Sequence, residues 1–182
     1  MPGSAEAPLI LRIAATWEGH PVGPNEEVRF ELSGEVGGLR VVVEAPFHDD
    51  PAPAGPAGPT DQLWSFEVVE LFVLEAGSER YLEVELGPHG HHLVLELDGA
   101  RKAIRTKLPI EFSVRVSGAR WTGRALLPWD LLPAAPHRVN AYAIHGQGEG
   151  RRYLAWTAVP GDGPDFHRLD RFAECELPKP PR

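Results

Sequence analysis

Two glutamates in an otherwise apolar stretch are the side chains whose type and position most suggest chemistry. Glu67 and Glu70 lie in Leu-Trp-Ser-Phe-Glu-Val-Val-Glu-Leu-Phe, residues 63–72. If residues 64–74 form a regular strand, its side chains alternate between two faces, and Glu70 shares a face with Trp64 while Glu67 lies on the other. A carboxylate on a mostly apolar face is costly unless it is hydrogen-bonded or paired. The stretch therefore indicates either a ligand-binding carboxylate or a structural ion pair with an arginine.

A second acidic face is predicted in residues 80–86, where Tyr81, Glu83 and Glu85 alternate with aliphatic side chains. Such a face is typical of a solvated surface, where cross-strand charge pairs contribute roughly 0.2–1 kcal/mol each. The alternative is a polar groove, because carboxylate and guanidinium groups can each hold neighbouring hydroxyl groups in paired hydrogen bonds. We expect the solvated face.

The chain also has five tryptophans, and aromatic faces commonly support a sugar ring or another flat ligand. Trp64 follows a loop rich in proline, and Trp156 precedes another such loop at residues 160–164. Both are therefore expected near strand ends, where a ligand can reach them. The other three tryptophans are expected to be packing residues.

The eight histidines raise the question of a metal site. Three of them cluster in Gly-Pro-His-Gly-His-His at residues 87–92, and His48 adjoins Asp49 and Asp50. A zinc site needs three or four ligands converging at about 2.0–2.1 Å, and no HExxH or CxxC pattern supplies them. We therefore expect no metal and no cofactor, with calcium near Asp49 and Asp50 left as an open alternative.

Alternation of apolar and polar residues recurs along the chain and predicts about ten strands. The predicted strands are residues 28–32, 39–45, 64–74, 80–86, 92–97, 111–116, 121–127, 139–144, 153–158 and 172–177. Gly- and Pro-containing turns separate them, which favours an all-β fold, a single antiparallel β-sandwich of the jelly-roll type. Residues 1–182 are expected to form one domain, with a Pro-rich surface loop at 46–62, functional or mobile, and a loose tail at 178–182.

Composition excludes several classes of partner. The formal charge of −8 disfavours nucleic acid and anionic membranes as partners. The single cysteine cannot form an internal disulfide bond, and neither a membrane-spanning apolar run nor a signal peptide is recognisable. We expect a cytoplasmic protein.

Several further segments complete a recognisable set. They are Thr-Trp-Glu-Gly-His-Pro-Val at 16–22, Ala-Pro-Phe-His-Asp-Asp-Pro-Ala-Pro at 45–53, Tyr-Leu-Glu-Val-Glu-Leu-Gly-Pro-His-Gly at 81–90, Leu-Pro-Trp-Asp at 127–130, Ala-Ile-His-Gly at 143–146 and Pro-Asp-Phe-His at 164–167. Together with residues 63–72, they resemble an uncharacterised protein family found from bacteria to vertebrates, whose human member is a chromosome 4 open-reading-frame protein. The likeness covers nearly the whole chain.

The spacing of Trp64, Glu67 and Glu70, followed by Tyr81 and a Pro-His-Gly turn, is more distantly similar to family 9 carbohydrate-binding modules and related DOMON-like domains. Those domains are β-sandwiches, and in the sugar-binding members two tryptophans clamp a sugar while charged side chains hold its hydroxyl groups. The resemblance implies that Trp64 and Trp156 are the clamp and that Glu70 accepts a hydroxyl. Haem, which some relatives bind through Met and His, is not expected, because the one methionine is the first residue.

These observations favour a non-catalytic, carbohydrate-binding-like protein that holds a small sugar or glycan end in an aromatic cleft. The expected ligand-binding residues are Trp64, Glu67, Glu70, Tyr81, His145 and Trp156. Two alternatives stay open: an enzyme acting on a sugar or small polar metabolite, and a scaffold that binds a protein partner. For an enzyme, His145 and His167 are candidate acid and base. Glu67 and Glu70 cannot flank one glycosidic bond at about 5–9.5 Å if they point to opposite faces.

Overall fold

The computed structural model describes residues 7–181 and is built mainly of strands. Thirteen strands follow one another in this part of the chain: β1 Leu9–Ile13, β2 Ala15–Thr16, β3 Val28–Glu35, β4 Gly38–Pro46, β5 Val68–Glu75, β6 Arg80–Leu86, β7 His92–Asp98, β8 Ala103–Arg105, β9 Glu111–Ser117, β10 Arg120–Pro128, β11 His137–His145, β12 Arg152–Ala155 and β13 Ala173–Glu174. Short 3₁₀ turns occupy Leu63–Ser65, Trp129–Leu131, Gly148–Gly150 and Leu169–Arg171. Within residues 7–181, no helix is long and apolar enough to cross a membrane.

The strands form two antiparallel sheets. The first sheet has the order β1-β3-β4-β10-β9. The second has the order β2-β12-β11-β5-β6-β7-β8, and β13 also pairs with β11. All pairings between these strands are antiparallel. The predicted all-β antiparallel sandwich is confirmed.

The main core contains the side chains that alternate onto one face of each sheet. In β5 these are Val69, Leu71 and Val73, and the first sheet contributes Phe30 and Val41 among others. All five are buried, and complete burial of an apolar side chain of this size stabilises the fold by roughly 1.5–3 kcal/mol. Because one face of β5 and β6 packs in this core, their opposite face is the one that other parts of the chain can contact.

A second apolar layer lies on the other face of the second sheet. Phe72, Tyr81 and Tyr142 belong to it, and the segment after β12 adds Phe166 and Phe172. The rings of Tyr142 and Phe166 stack with centroids 3.9 Å apart. We call residues 156–172 the covering segment. Because both faces of the second sheet are covered, its central strands are apolar in both directions.

Each segment predicted as a strand overlaps an observed strand, but one boundary matters for the site. β5 begins at Val68, not at residue 64, because Leu63–Ser65 forms a 3₁₀ turn. Gln62 enters this turn in the left-handed conformation with φ of 56°, and the backbone N–H of Phe66 donates to the carbonyl of Leu63. The direction of the Trp64 side chain is therefore set by a turn and not by strand alternation. The short strands β1, β2 and β8 were not predicted.

The Pro-rich loop at 46–62 is fastened to the second sheet. The N–H of Thr60 donates to the carbonyl of His92 at 2.9 Å, and the N–H of His92 donates to the carbonyl of Gly58 at 3.0 Å. The Thr60 hydroxyl also lies 2.8 Å from Nδ1 of His91. Part of this loop therefore runs along β7 as an extension of the sheet.

The prediction of a loose tail at 178–182 is wrong for the first residues of that segment. Pro178 is buried, and the backbone of Lys179 lies against Gly34 in β3. A Cβ atom on Gly34 would approach the Lys179 carbonyl oxygen to 1.8 Å, so the contact requires a glycine. Arg182 lies outside the described residues.

Candidate functional site

A cleft of about 770 Å³ opens on the outer face of the second sheet. Side chains of β5, β6 and β7 line it, together with the 3₁₀ turn at Leu63–Ser65, residues around Arg101, residues 151–153 and the covering segment. Its volume lies within the range of about 300–1,000 Å³ that is typical of small-molecule sites. The cleft therefore has the size and the mixed lining expected of a ligand site.

Trp64 stands at this cleft with 44% of its surface exposed. Arg151 fastens the turn that carries it: Nη2 donates to the carbonyl of Trp64 at 2.6 Å, and Nη1 donates to the carbonyl of Ser65 at 3.1 Å. Nη1 also lies 3.2 Å from the carbonyl of Gly146. The Arg151 guanidinium is 5.7 Å from the centre of the Tyr153 ring. One arginine thus links the tryptophan turn to the loop before β12.

Three glutamates of the central strands form a cluster, and two of them, Glu70 and Glu83, line the cleft. Glu70 of β5 is paired in register with Glu85 of β6, and Glu83 lies two residues before Glu85 on the same face of β6. Their side chains can place one oxygen each within 4.8 Å of the others. The residues are only 2%, 3% and 0% exposed for Glu70, Glu83 and Glu85. We call them the carboxyl trio.

The environment of the trio disfavours negative charge. Burial raises the pKa of all three carboxyl groups above the ordinary value. The charge of Glu83 raises the pKa of Glu70 further, and the charges of Glu70 and Glu83 do the same for Glu85. The guanidinium groups of Arg151 and Arg101 act in the opposite direction on the pKa of Glu70 and Glu83 respectively. A ligand that supplies positive charge or hydrogen bonds would relieve this repulsion.

Hydrogen bonding within the protein leaves much of the trio unsatisfied. Among residues 7–181, Oε2 of Glu83 and both oxygens of Glu85 are buried and make no hydrogen bond of ordinary geometry, although the Glu83 and Glu85 carboxyl groups interact with each other and the Trp64 backbone N–H acts to lower the pKa of Glu85. Buried polar atoms normally have a partner, and each unpaired one costs about 1–3 kcal/mol. These atoms are therefore available to a bound group.

A histidine far from the tryptophan turn in sequence lines the same cleft. His167 is in the covering segment, and its Nδ1 lies 2.6 Å from the Tyr81 hydroxyl, which also accepts the backbone N–H of Arg101 at 3.1 Å. Burial, helped by the Arg101 charge, lowers the pKa of His167 to about 4. Arg101 itself is paired with Asp165 at 2.6 Å. Tyr81 thus supports the position of His167 from beneath the cleft.

The structure brings some of the expected ligand-binding residues together and separates the others. Trp64 and Glu70 line the cleft. Tyr81 lies beneath it and contacts His167, which also lines the cleft. Trp156, the expected second clamp residue, packs against the core between the sheets and does not line the cleft.

Glu67 and His145 belong to a different cluster. The carboxylate of Glu67 accepts the backbone N–H groups of His48 at 3.0 Å and Asp50 at 3.3 Å. His145 stacks on His48 with ring centroids 3.6 Å apart, and its Nε2 lies 3.1 Å from Oε1 of Glu26. Burial lowers the pKa of both histidines. His145 and His167, the candidate acid and base of the enzymatic alternative, line separate cavities and so do not form a pair.

The prediction that the acidic face of β6 is exposed to solvent is also wrong. Glu83 and Glu85 are buried, and Glu83 lines the cleft together with the tryptophan turn and residues of the covering segment. The sequence showed the alternation but not what covers it. Arg101 and Arg151, which line the cleft, were not predicted, since they lie in loops without periodic signals.

A second cleft, of about 830 Å³, lies beside the C-terminal segment. Trp129, Leu132, Cys175 and Leu177 line it. His137 also lines this cleft, and its Nε2 lies 2.8 Å from the carbonyl oxygen of Pro133. Its lining lacks a buried carboxyl cluster, so the first cleft is the better candidate for binding a polar ligand.

Comparison with solved structures shows which proteins share this fold. A candidate carbohydrate-binding protein from Bacteroides uniformis ATCC 8492 has the same fold, with a TM-score of 0.72 and 16% identity over 91% of this chain and 84% of that one. A family 9 carbohydrate-binding module from Caldicellulosiruptor kristjanssonii, solved with cellotriose, gives a TM-score of 0.58 and 13% identity over 98% of this chain and 84% of the module. The protein therefore has the β-sandwich fold of these carbohydrate-binding proteins.

Sequence comparison gives the family. The chain is 44% identical to the UPF0462 protein C4orf33 homolog of Danio rerio over 173 residues, which cover 91% of this chain and 87% of the relative. It is 43% identical to UPF0462 protein C4orf33 of Homo sapiens over 170 residues, which cover 89% of this chain and 85% of the human protein. The chain belongs to the UPF0462 family. No family model matches it, and the expected occurrence of the family in bacteria stays a prediction.

Proposed function

We propose that this protein is a non-catalytic carbohydrate-binding protein that holds a small sugar or glycan end in the cleft at Trp64. The observation that carries the proposal is the combination, in one cleft of about 770 Å³, of an exposed indole and a buried group of carboxyl oxygens. Sugars have apolar ring faces and hydroxyl edges, and the two halves of this cleft match these two kinds of surface.

Each half of the site has a distinct role in this proposal. The Trp64 indole stacks on the apolar face of the sugar ring, with Tyr153 and Phe166 as further apolar walls of the cleft. Glu70 and its neighbours in the trio hold hydroxyl groups, either accepting hydrogen bonds or, when protonated, donating them. The shared fold supports the proposal, because one structural neighbour was solved with cellotriose and another, with a TM-score of 0.57, with glucose.

The arrangement of carboxyl groups favours binding over hydrolysis. In most glycosidases the two carboxyl groups flank the scissile bond from different sides. Here Glu70, Glu83 and Glu85 project from the same face of neighbouring strands, so all three approach a ligand from one side. This geometry suits a binding surface.

Titration of tryptophan fluorescence with a panel of mono- and disaccharides tests the proposal. We expect a saturable change with at least one sugar, and a loss of affinity of about tenfold or more in Trp64→Ala, because a tenfold change corresponds to only about 1.4 kcal/mol of stacking energy. Val116→Ala is the matched control, since Val116 is 43% exposed, like Trp64, but lies in β9 of the first sheet. Circular dichroism verifies that both variants are folded.

Two results would count against the proposal. A flat response across the panel, or a response that Trp64→Ala leaves unchanged, would remove the cleft as the sugar site. Release of new reducing ends from a bound disaccharide during the titration would instead favour the enzymatic alternative.

A further inference from the structure

We propose that Glu70, Glu83 and Glu85 bind a hard divalent cation of calcium size at the cleft. This inference concerns the carboxyl trio alone and does not depend on a sugar being bound.

Strand register brings the three ligands together. Glu70 and Glu85 are directly opposed across β5 and β6, and Glu83 follows the same face of β6. One oxygen from each can lie within 4.8 Å of the others. Three oxygens that each lie about 2.6 Å from one calcium ion can be up to about 4.5 Å apart, so small rotations of the side chains bring the observed spacing to that of a single ion.

The second and independent observation is the lack of partners for these oxygens. In the part of the chain that the structure describes, Oε2 of Glu83 and both carboxyl oxygens of Glu85 make no hydrogen bond of ordinary geometry, although the Trp64 backbone N–H and the adjacent carboxyl group lie near them; the two residues are 3% and 0% exposed. Buried carboxyl groups are normally paired, hydrogen-bonded or bound to a metal. A cation would satisfy several of these atoms at once.

The nearby arginines do not neutralise the trio by direct contact. Arg151 donates its hydrogen bonds to the carbonyls of Trp64, Ser65 and Gly146, and Arg101 pairs with Asp165. Within residues 7–181, no salt bridge joins an arginine or lysine to a member of the trio. The positive charge that the trio lacks must therefore come from protons or from a bound cation.

The donor atoms select the kind of cation. All three ligands are carboxylate oxygens, which suit Ca²⁺, Mg²⁺ and Mn²⁺ and not the softer metals that prefer nitrogen or sulfur. Ca²⁺ takes six to eight oxygen ligands in flexible geometry, so three protein ligands leave positions for water on the cleft side. A sugar hydroxyl group could take such a position, an extension that rests on the proposed function.

Terbium luminescence provides the test. Tb³⁺ replaces Ca²⁺ at oxygen sites, and Trp64 lines the same cleft and can sensitise its emission. Protein freed of metal with a chelator is titrated with Tb³⁺ and then with Ca²⁺ or Mg²⁺ as competitor. We expect saturable emission that Ca²⁺ displaces, with affinity for Tb³⁺ reduced at least tenfold in both Glu85→Gln and Glu83→Gln. The control Glu79→Gln removes an exposed carboxylate beside β6 and leaves the affinity unchanged.

The thermal unfolding midpoint gives a second readout that does not depend on tryptophan. Ca²⁺ is expected to raise the midpoint of the wild type and of Glu79→Gln, but not of the folded Glu85→Gln or Glu83→Gln variant. Absence of saturable emission and of a Ca²⁺-dependent midpoint in the wild type would overturn the proposal, as would equal responses in all variants. The trio would then be neutralised by protons. A sugar titration in the presence of chelator separates this outcome from a failure of the proposed function.

Discussion

Arg151 is the residue that connects the tryptophan turn of the candidate site to the rest of the fold, although nothing in its sequence context predicts this role. It donates to the carbonyls of Trp64, Ser65 and Gly146 and so holds the tryptophan turn against the loop before β12. Charge-assisted hydrogen bonds of this kind are roughly twice as strong as neutral ones. The position of the exposed indole thus depends on a side chain about 87 residues away in sequence.

Replacement of this arginine tests its positioning role. Arg151→Gln is expected to weaken saccharide binding by about tenfold, or about 1.4 kcal/mol, because the turn that carries Trp64 loses its anchor. Arg115→Gln, an exposed arginine of β9 in the other sheet, is the control and should bind as the wild type does. Isothermal titration calorimetry measures both. Equal affinities for the two variants would show that Arg151 does not position the indole.

The stacked histidines predict a specific loss of stability in acid. Burial lowers the pKa of His48 and His145 in the folded protein below the value of 6.5 expected for the unfolded chain. Between that value and the lower folded value, the unfolded state binds more protons, so stability is retained above about pH 6.5 and lost as the pH falls. Glu26, Asp50 and Glu67 act against the shift without reversing it.

Urea unfolding at pH 7.5 and at pH 5 measures this effect. The wild type is expected to lose more unfolding free energy between the two pH values than a His48→Gln, His145→Gln double variant, which lacks both titrating groups. Titrating residues that do not interact with the two histidines are common to both proteins and cancel in the comparison. The same loss in both proteins would contradict the assignment.

At the scale of the elements, sequence periodicity predicts where strands lie, but it does not predict which parts of the chain cover each of their faces. The pattern of β6 was identified with the same boundaries, Arg80 to Leu86, since its alternation is regular. That pattern does not reveal whether its acidic face meets water, because the covering segment begins about 70 residues later in the chain. The burial of Glu83 and Glu85 is thus a tertiary effect.

In the candidate site too, local sequence patterns predict some residues, while those that depend on tertiary contacts are missed. Trp64 and Glu70 were identified from a local spacing, and both line the cleft. Trp156 was expected beside them because it also adjoins a loop, but its side chain packs against the core between the sheets. Loop residues such as Arg101 have no periodicity from which to predict a direction. Two residues of the candidate site could therefore be predicted from one short segment, but the remaining lining of the cleft could not be predicted from the sequence.

The contact between β3 and the C-terminal segment gives a prediction for element packing. Gly34→Ala places a Cβ atom against the carbonyl of Lys179 and should displace this segment, with a loss of about 1–3 kcal/mol in unfolding free energy. Gly23→Ala is the control, because a Cβ there meets no other atom within 4 Å. Urea denaturation compares the two variants. Equal midpoints would indicate that the segment does not pack on β3 in solution.

On the scale of the whole molecule, the cleft is built by parts of the chain that are far apart in sequence. The tryptophan turn, β5, β6 and the covering segment all contribute to it. A ligand held by all of them stabilises the folded state as a whole, by about 2.7 kcal/mol when its concentration is a hundred times the dissociation constant.

Thermal unfolding in the presence of a saccharide identified by titration measures this coupling. We expect the midpoint to rise with saccharide concentration in the wild type and to rise much less in Trp64→Ala at the same concentrations. At a hundred times the dissociation constant the expected shift is roughly 5–11 °C, since about 1 kcal/mol corresponds to roughly 2–4 °C for a domain of this size. A midpoint that rises equally in both proteins would place the saccharide elsewhere.

The most direct test of the carbohydrate-binding account follows the five tryptophan indole signals by ¹H–¹⁵N correlation spectroscopy during a saccharide titration. Trp64 lines the cleft, whereas Trp121 is 2% exposed in the core between the sheets and Trp129 lines the second cleft. The account predicts a saturable shift of the Trp64 indole signal, with Trp121 and Trp129 unchanged. Shifts confined to Trp129, or no shift of any indole signal at saturating sugar, would contradict it.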